Sequence, residues 1–215
     1  MVKKRKLQRV NNIVYDNATD CLYGLFSNGG TQSIVRYDKD IEKAEVIYAF
    51  PFGVSVFDMD VIHDGKMISV TTQGDNGEHT LQIFRTEDLA MALFKPEKLV
   101  TWDDSNLGQF RFSLDDRYLI GSSYYTGVSN LWQIELASHE MQMLTNTDIG
   151  LFAPLEIAPD SLMALEFERD GMRPVSLERK VVNDANAVEL YGQKDDENNK
   201  EALEAVGELR NPLPK

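Results

Sequence analysis

Cysteine is almost missing from this chain: among 215 residues only Cys21 carries a thiol. An internal disulfide is excluded, and one thiol alone does not hold zinc. Cys21 sits inside an apolar run, where a small buried structural thiol is the expected state. Histidine is nearly as scarce, with His63, His79 and His139 the full set. None has a neighbour at metal-ligand spacing, and each is expected to be a solvated turn residue. Long apolar runs are lacking as well; the longest uncharged ones, 22–26 and 67–70, fall far short of a bilayer span. Positive charge is in deficit, since 22 Lys and Arg face 35 Asp and Glu for a net charge of −13. Such a surface repels a duplex, whose binding needs phosphate neutralisation, so no nucleic-acid partner is expected. The isolated basic cluster Lys3-Lys-Arg-Lys6 looks like the start of a signal peptide, but polar residues 8–12 follow where an apolar stretch is required. It reads as a solvated end, or as a boundary within a longer protein.

What the chain does contain is a repeat. Apolar content of 42% and charged content of 27% are ordinary for a globular protein. Four segments share one layout: an apolar strand, an Asp-containing turn, a second apolar strand, a Gly/Asn/Asp-rich turn, then a third alternating strand. Strands are expected at 13–20, 21–27 and 32–38; at 57–62, 66–72 and 79–85; at 110–113, 117–123 and 130–136; and at 155–158, 162–168 and 174–179. A fourth strand per unit is expected at 44–48, 98–102 and 141–145, and more weakly at Val181–Asn183. The turn aspartates Asp20, Asp64, Asp115 and Asp160 mark the period. Its one long interval holds an insertion, 86–93, which reads as a short surface helix with Thr86 as its cap.

Period-two alternation, as in Leu131-Trp-Gln-Ile-Glu-Leu136, suits sheets with two unlike faces, and Gly- and Asn-rich turns suit hairpins. Strand spacing alone permits a sandwich, but a Greek key does not require recurrence of a whole four-strand unit. The expected fold is therefore all-β: β-propeller blades of four antiparallel strands, about four of them, in an incomplete propeller. Their approximate extents are 10–52, 53–104, 105–150 and 151–192. Residues 193–215 read as an acidic polar tail or linker. An open ring leaves blade faces exposed, so the chain is expected to be a fragment or to close by self-association.

Unit three carries a family pattern: Phe112-Ser-Leu-Asp-Asp-Arg-Tyr-Leu-Ile-Gly-Ser-Ser123, then Asn130-Leu-Trp-Gln-Ile-Glu-Leu136, then Leu144-Thr-Asn146. It resembles the WD-like repeat of TolB-type propellers, in which an FSPDGRYLAFSS hairpin leads to NLWVLDL and a strand ending in LTN. Leu114-Asp115-Asp116 replaces the family's Pro-Asp-Gly, Ser161 replaces its Gly in unit four, and His63-Asp64-Gly65-Lys66 keeps the turn in unit two. Residues 13–192 share the resemblance, most strongly 108–178. The resemblance implies a propeller that mediates protein contacts, as in bacterial proteins of the periplasm or cell envelope, or one that sits beside a hydrolase as in the prolyl oligopeptidase group.

Chemistry is hard to find. Gly121-Ser-Ser-Tyr-Tyr-Thr-Gly127 lacks the spacing of a nucleophile elbow and lies on a second strand. Asp75-Asn-Gly-Glu78 lacks the length of a calcium loop. Asp103-Asp104 and Asp115-Asp116 read as turn residues, Gly29-Gly30 as a hairpin, and Trp102 and Trp132 as core. No catalytic, cofactor or metal residue is assigned. The preferred function is a non-catalytic scaffold for a protein or peptide partner. The alternative is the gating portion of a prolyl-oligopeptidase-like hydrolase, and a metal-dependent lactonase-like enzyme stands last.

Overall fold

A computed structural model describes residues 9–90, 96–102 and 106–183 of the chain. Sheet one runs β1 (Val10–Asp16), β2 (Cys21–Asn28), β3 (Thr31–Asp38) and β4 (Ala44–Ala49), in that spatial order. Sheet two is β5 (Ser55–Val61), β6 (Met67–Gln73), β7 (His79–Arg85) and β8 (Glu97–Trp102), with the helix α1 (Thr86–Ala90) between its last two strands. Sheet three is β9 (Leu107–Phe112), β10 (Tyr118–Ser123), β11 (Asn130–Glu135) and β12 (Met141–Met143). Sheet four holds β13 (Leu151–Ala158), β14 (Ser161–Glu168) and β15 (Gly171–Glu178).

All pairings are antiparallel and follow sequence order, so each sheet is a meander whose first strand lies at one edge. Those first strands neighbour one another: β1 lies against β5, β5 against β9, and β9 against β13. The sheets therefore fan out from a shared inner edge, which is the architecture of a β-propeller with about four blades and an incomplete ring.

Apolar layers fill the gaps between blades. Tyr23, Leu25 and Ile34 of blade one meet Met59, Ile68 and Phe84 of blade two. Leu81 and Ile83 meet Phe110, Leu119 and Ile134 of blade three, whose other face puts Ile120, Leu131 and Leu144 against Leu162 and Ala164 of blade four. Second strands β6 and β10 are buried nearly throughout because a neighbouring blade covers each of their faces.

Carboxylates clasp the inner strands together. Asp58 accepts from Asn12 Nδ2 of blade one at 2.8 Å and from Arg111 of blade three at 2.7 Å. Asp60 accepts the Phe112 backbone N–H at 2.8 Å, and burial pushes its carboxyl above the usual carboxylate range. Glu156 accepts the Leu114 N–H at 2.7 Å and Arg179 at 2.8 Å; Arg179 also bonds Gln133 and covers the Tyr118 ring.

Three expectations need correction. Every first strand carries a register break, between Asn11 and Val14, Val56 and Asp58, Gly108 and Arg111, and Phe152 and Leu155. Three of these breaks hold a left-handed residue, Asn12, Gln109 or Ala153. These β-bulges let β1, β9 and β13 start three or four residues before the alternating pattern does. Secondly, the turn aspartates are not equivalent: the left-handed turn position is Asp20, Gly65, Asp116 and Asp160, so Asp64 and Asp115 sit one residue ahead of it. Thirdly, Val181–Asn183 form no strand on β15. The Val182 N–H instead donates to the Met143 carbonyl at 2.8 Å, on the outer strand of blade three. Thr86 also differs in detail: it is the first helical residue, and its hydroxyl donates to the Gly65 carbonyl, tying α1 to the β5–β6 hairpin.

Candidate protein-interaction end of the propeller

Antiparallel meanders sort their loops by end. The β1–β2 and β3–β4 turns, and their counterparts in other blades, share one end. The second-to-third-strand turns and the connections between blades share the other, here the loop end.

In blade one the loop end is a two-residue hairpin. Gly29 and Gly30 both take positive φ (59° and 85°), as this turn geometry demands, while Asn28 pairs with Thr31. The Phe52 ring lies over Gly30, so close that a Cβ there would stand 2.9 Å from it. Gln32 reaches across to blade two, accepting the Val56 N–H with its side-chain oxygen. Beside it opens a cleft of about 1050 Å³, lined by Arg9, Asn28, Gly30, Gln32 and Val54. In blade two the 74–78 turn is closed by Gly74 N–H to the Glu78 carbonyl and by Asn76 Oδ1, which accepts the Glu78 N–H. The Asn76 amide bond, helped by Lys98, holds the Glu78 carboxyl below its ordinary value.

Blade three is the most tightly built. Asn130 is fully buried: its amide donates to Thr126 Oγ1 at 3.1 Å, and its carbonyl oxygen accepts Thr145 Oγ1 at 2.9 Å and the Thr147 N–H at 3.0 Å. Ser129 Oγ donates to the Leu151 carbonyl at 2.7 Å. The Asn of Asn130-Leu-Trp and the Thr of Leu144-Thr-Asn146 are thus two halves of one clamp, which fixes the 124–129 turn to the connection leading into blade four. On this rigid base Tyr124 and Tyr125 point outward; Tyr125 is 61% exposed and Phe52 80%. Phe57 and Ile149 are half-exposed at the same end.

The opposite end carries ions that pair with each other. Lys39 meets Asp20, Lys66 meets Asp64, Arg117 meets Glu135, and His139 meets Glu97, all within 3.4 Å. His63 Nδ1 and Asp116 join the turns of blades two and three at 2.5 Å. Exposed pairs of this kind add little binding energy and leave few apolar anchors.

The residues weighed in the sequence fall out as follows. His63 and His139 are turn residues in ion-pair contact. His79 is not solvated: it is 5% exposed, stacked on Phe57 at 5.4 Å, and burial lowers its pKa. Its Nδ1 and the Trp132 Nε1 are, among the described residues, buried without a hydrogen-bond partner. Trp132 is core, as expected, with Tyr125 edge-on above it. Cys21 is buried, but in a polar setting, with Thr19 Oγ1 at 3.0 Å and Arg36 Nε at 3.4 Å. Ser122 Oγ donates to the Gly108 carbonyl and Ser123 Oγ accepts the Tyr125 N–H, so both hydroxyls act as structural tethers. Asp103, Asp104, the Trp102 side chain and the 193–215 tail lie outside the described residues. Among the described residues no group of three His, Cys, Asp or Glu is arranged to hold a metal ion, and no helix is long and apolar enough to cross a membrane.

No protein-family model matches the sequence, and no curated protein matches it either. Solved structures do match. A provisionally assigned TolB from Agrobacterium tumefaciens superposes with a TM-score of 0.65 at 12% identity, over 80% of this chain and 64% of that one. TolB from Acinetobacter baumannii gives 0.53 at 14%, over 82% and 45%. The fold is a TolB-like β-propeller. A chain of a nidogen/laminin complex is similar to it as well (TM-score 0.59, 13% identity, 79% and 60% covered). So is a puromycin-hydrolysing peptidase of Mycobacterium tuberculosis (0.62, 11%, 85% and 31%). The TolB-like propeller thus spans 64% or less of each of these chains.

Proposed function

We propose that this propeller is a non-catalytic scaffold that binds a protein or peptide partner through its loop end. The observation that carries the reading is the set of outward aromatics gathered at this end, Phe52, Phe57, Tyr124 and Tyr125, the two tyrosines on a turn held by buried polar clamps. Aromatic side chains on a rigid base give large contact area at little entropy cost, and they are enriched among binding hot spots. The opposite end spends its charges on its own ion pairs. Among the similar structures, a TolB and a nidogen/laminin chain support a contact-making role.

Panning a phage library of random twelve-residue peptides against the immobilised chain tests this. Enriched peptides should lose binding at least tenfold to the Phe52→Ser/Tyr125→Ser double variant and keep it with Leu114→Ser, at the opposite end. Peptides that ignore the double variant and respond to Leu114→Ser would refute the assignment.

A second reading rests on coverage. The chain matches 31% and 30% of two puromycin-hydrolysing enzymes, about the share a domain beside a catalytic unit would take. It would then gate access to a hydrolase in the same polypeptide. A Gly-x-Ser-x-Gly nucleophile motif in the continuing reading frame would support this gating role, and a frame without one would remove it.

A further inference from the structure

Among the described residues, the two end blades each expose large apolar side chains on one face. On blade four, cross-strand pairs set the face that packs on blade three (Leu162 with Leu177, Ala164 with Val175) against the opposite face (Leu155 with Met163, Leu165 with Pro174, Phe167 with Met172). That opposite face exposes Leu155, Ile157, Met163, Met172 and Phe167, the last at 55%. Five large apolar side chains side by side amount to several hundred Å², a size that marks an interaction surface on a folded chain. Blade one shows the reverse: its buried face meets blade two, while Ile13, Tyr15 and Val46 (59% exposed) lie on the other side of the sheet.

These faces are not interchangeable. Along the described blades, the forward face of each always packs on the backward face of the next. Among the described residues, blade four ends with an exposed apolar forward face, and blade one begins with a backward face on which Ile13, Tyr15 and Val46 are exposed around the buried Val35 and Tyr37. Extension through the outer edge of blade four is disfavoured, since β15 carries Pro174, which has no N–H to offer, and Arg173, which is engaged with Glu166 and Glu168.

We infer that the forward face of blade four docks on the backward face of blade one of a second copy of this chain, the contact continuing the series already present between blades. Reciprocal contacts in a pair would close a ring of about eight blades, within the range such rings adopt. Both partners are acidic, so the association strengthens as salt screens their repulsion.

Light scattering after size exclusion, from about 1 to 200 μM in 0.3 M salt, reads the outcome on the whole chain. Wild type is expected to move from 24.4 kDa toward twice that mass as concentration rises. Phe167→Asp alone and Val46→Asp alone should each weaken pairing more than tenfold, with melting temperatures unchanged because both side chains are exposed. An equimolar mixture of the two variants keeps one intact contact and should pair more strongly than either variant alone. Wild type that stays monomeric throughout overturns the inference. So does pairing that Phe167→Asp abolishes but Val46→Asp leaves alone, which signals a like-with-like contact, and so does a mixture no better than its components.

Discussion

Gly121, at the centre of β10, gives the sharpest test of the packing between blades two and three. A Cβ at this position would stand 2.4, 2.5 and 2.6 Å from Phe110 Cγ, Cδ2 and Cδ1. These atoms are the root of the ring, close to its own backbone, and cannot swing aside as a flexible chain end does. Phe110 is 1% exposed and is packed with Leu119 and Ile134. Gly121→Ala therefore forces either the ring off its rotamer or β9 away from β10, at about 1–3 kcal/mol for an overpacked core. Contacts this short belong to the upper part of that range, about 2–3 kcal/mol; alanine recovers roughly 0.5–1 kcal/mol of strand entropy, which leaves a net loss of about 1–2.5 kcal/mol. For a chain of this size that lowers the melting temperature by roughly 2–10 °C. The control lies in the same sheet: at Gly108 the added Cβ would meet only Ser122 Oγ, at 3.4 Å, so Gly108→Ala should leave the melting temperature close to wild type. Differential scanning calorimetry reads both variants. Phe110→Leu in the Gly121→Ala background should restore part of the loss through coupling between neighbours. A Gly121→Ala protein as stable as wild type would refute the placement of Phe110 over β10.

Other substitutions probe the remaining links. Arg179→Met leaves Glu156 buried with only the Leu114 N–H for company, so it should cost about 3–5 kcal/mol by urea unfolding. Arg173→Ala breaks only two surface pairs, with Glu166 and Glu168, and should cost under about 1 kcal/mol. His79 has a lowered pKa in the fold, so its neutral form contributes stability above its ordinary value near 6.5; that contribution fades as pH falls below it. The drop in melting temperature from pH 7.5 to 5 should therefore shrink in His79→Phe, and an unchanged drop would assign it to other groups. Ala153 holds a positive φ of 50° at the blade-four bulge, where glycine is at home. Ala153→Gly should raise stability by up to about 1 kcal/mol in the same urea assay, whereas an ordinary strand position would lose that much.

Much of the strand plan was legible because turn residues and alternation agree locally. β7 lies at His79–Arg85, where the alternating run places it, and β11 ends one residue before the alternating run does. The inner strands were legible only in part. Gln109 and Ala153 carry no sequence mark of a bulge and Asn12 only the weak one of a side chain that tolerates left-handed backbone, yet each bulge shifts the period-two pattern and hides the first residues of β1, β9 and β13. The burial of His79 was equally hidden, since the first position of a strand after a polar turn reads as solvated until Phe57 is seen to cover it. As for the candidate site, nothing in the sequence sets Tyr124, Tyr125 and Phe52 apart. Only the meander topology, which gathers alternate loops at one end, makes them a group, and the Asn130–Thr145 clamp that supports them spans two strands.

The most direct measurement is hydrogen–deuterium exchange on the chain with and without the tightest peptide recovered by panning. The propeller account predicts slowed exchange in residues 28–32, 50–57 and 124–130, the segments that share the loop end. Protection confined to residues 16–20, 63–66 and 114–117, at the end where the ions pair among themselves, would contradict it.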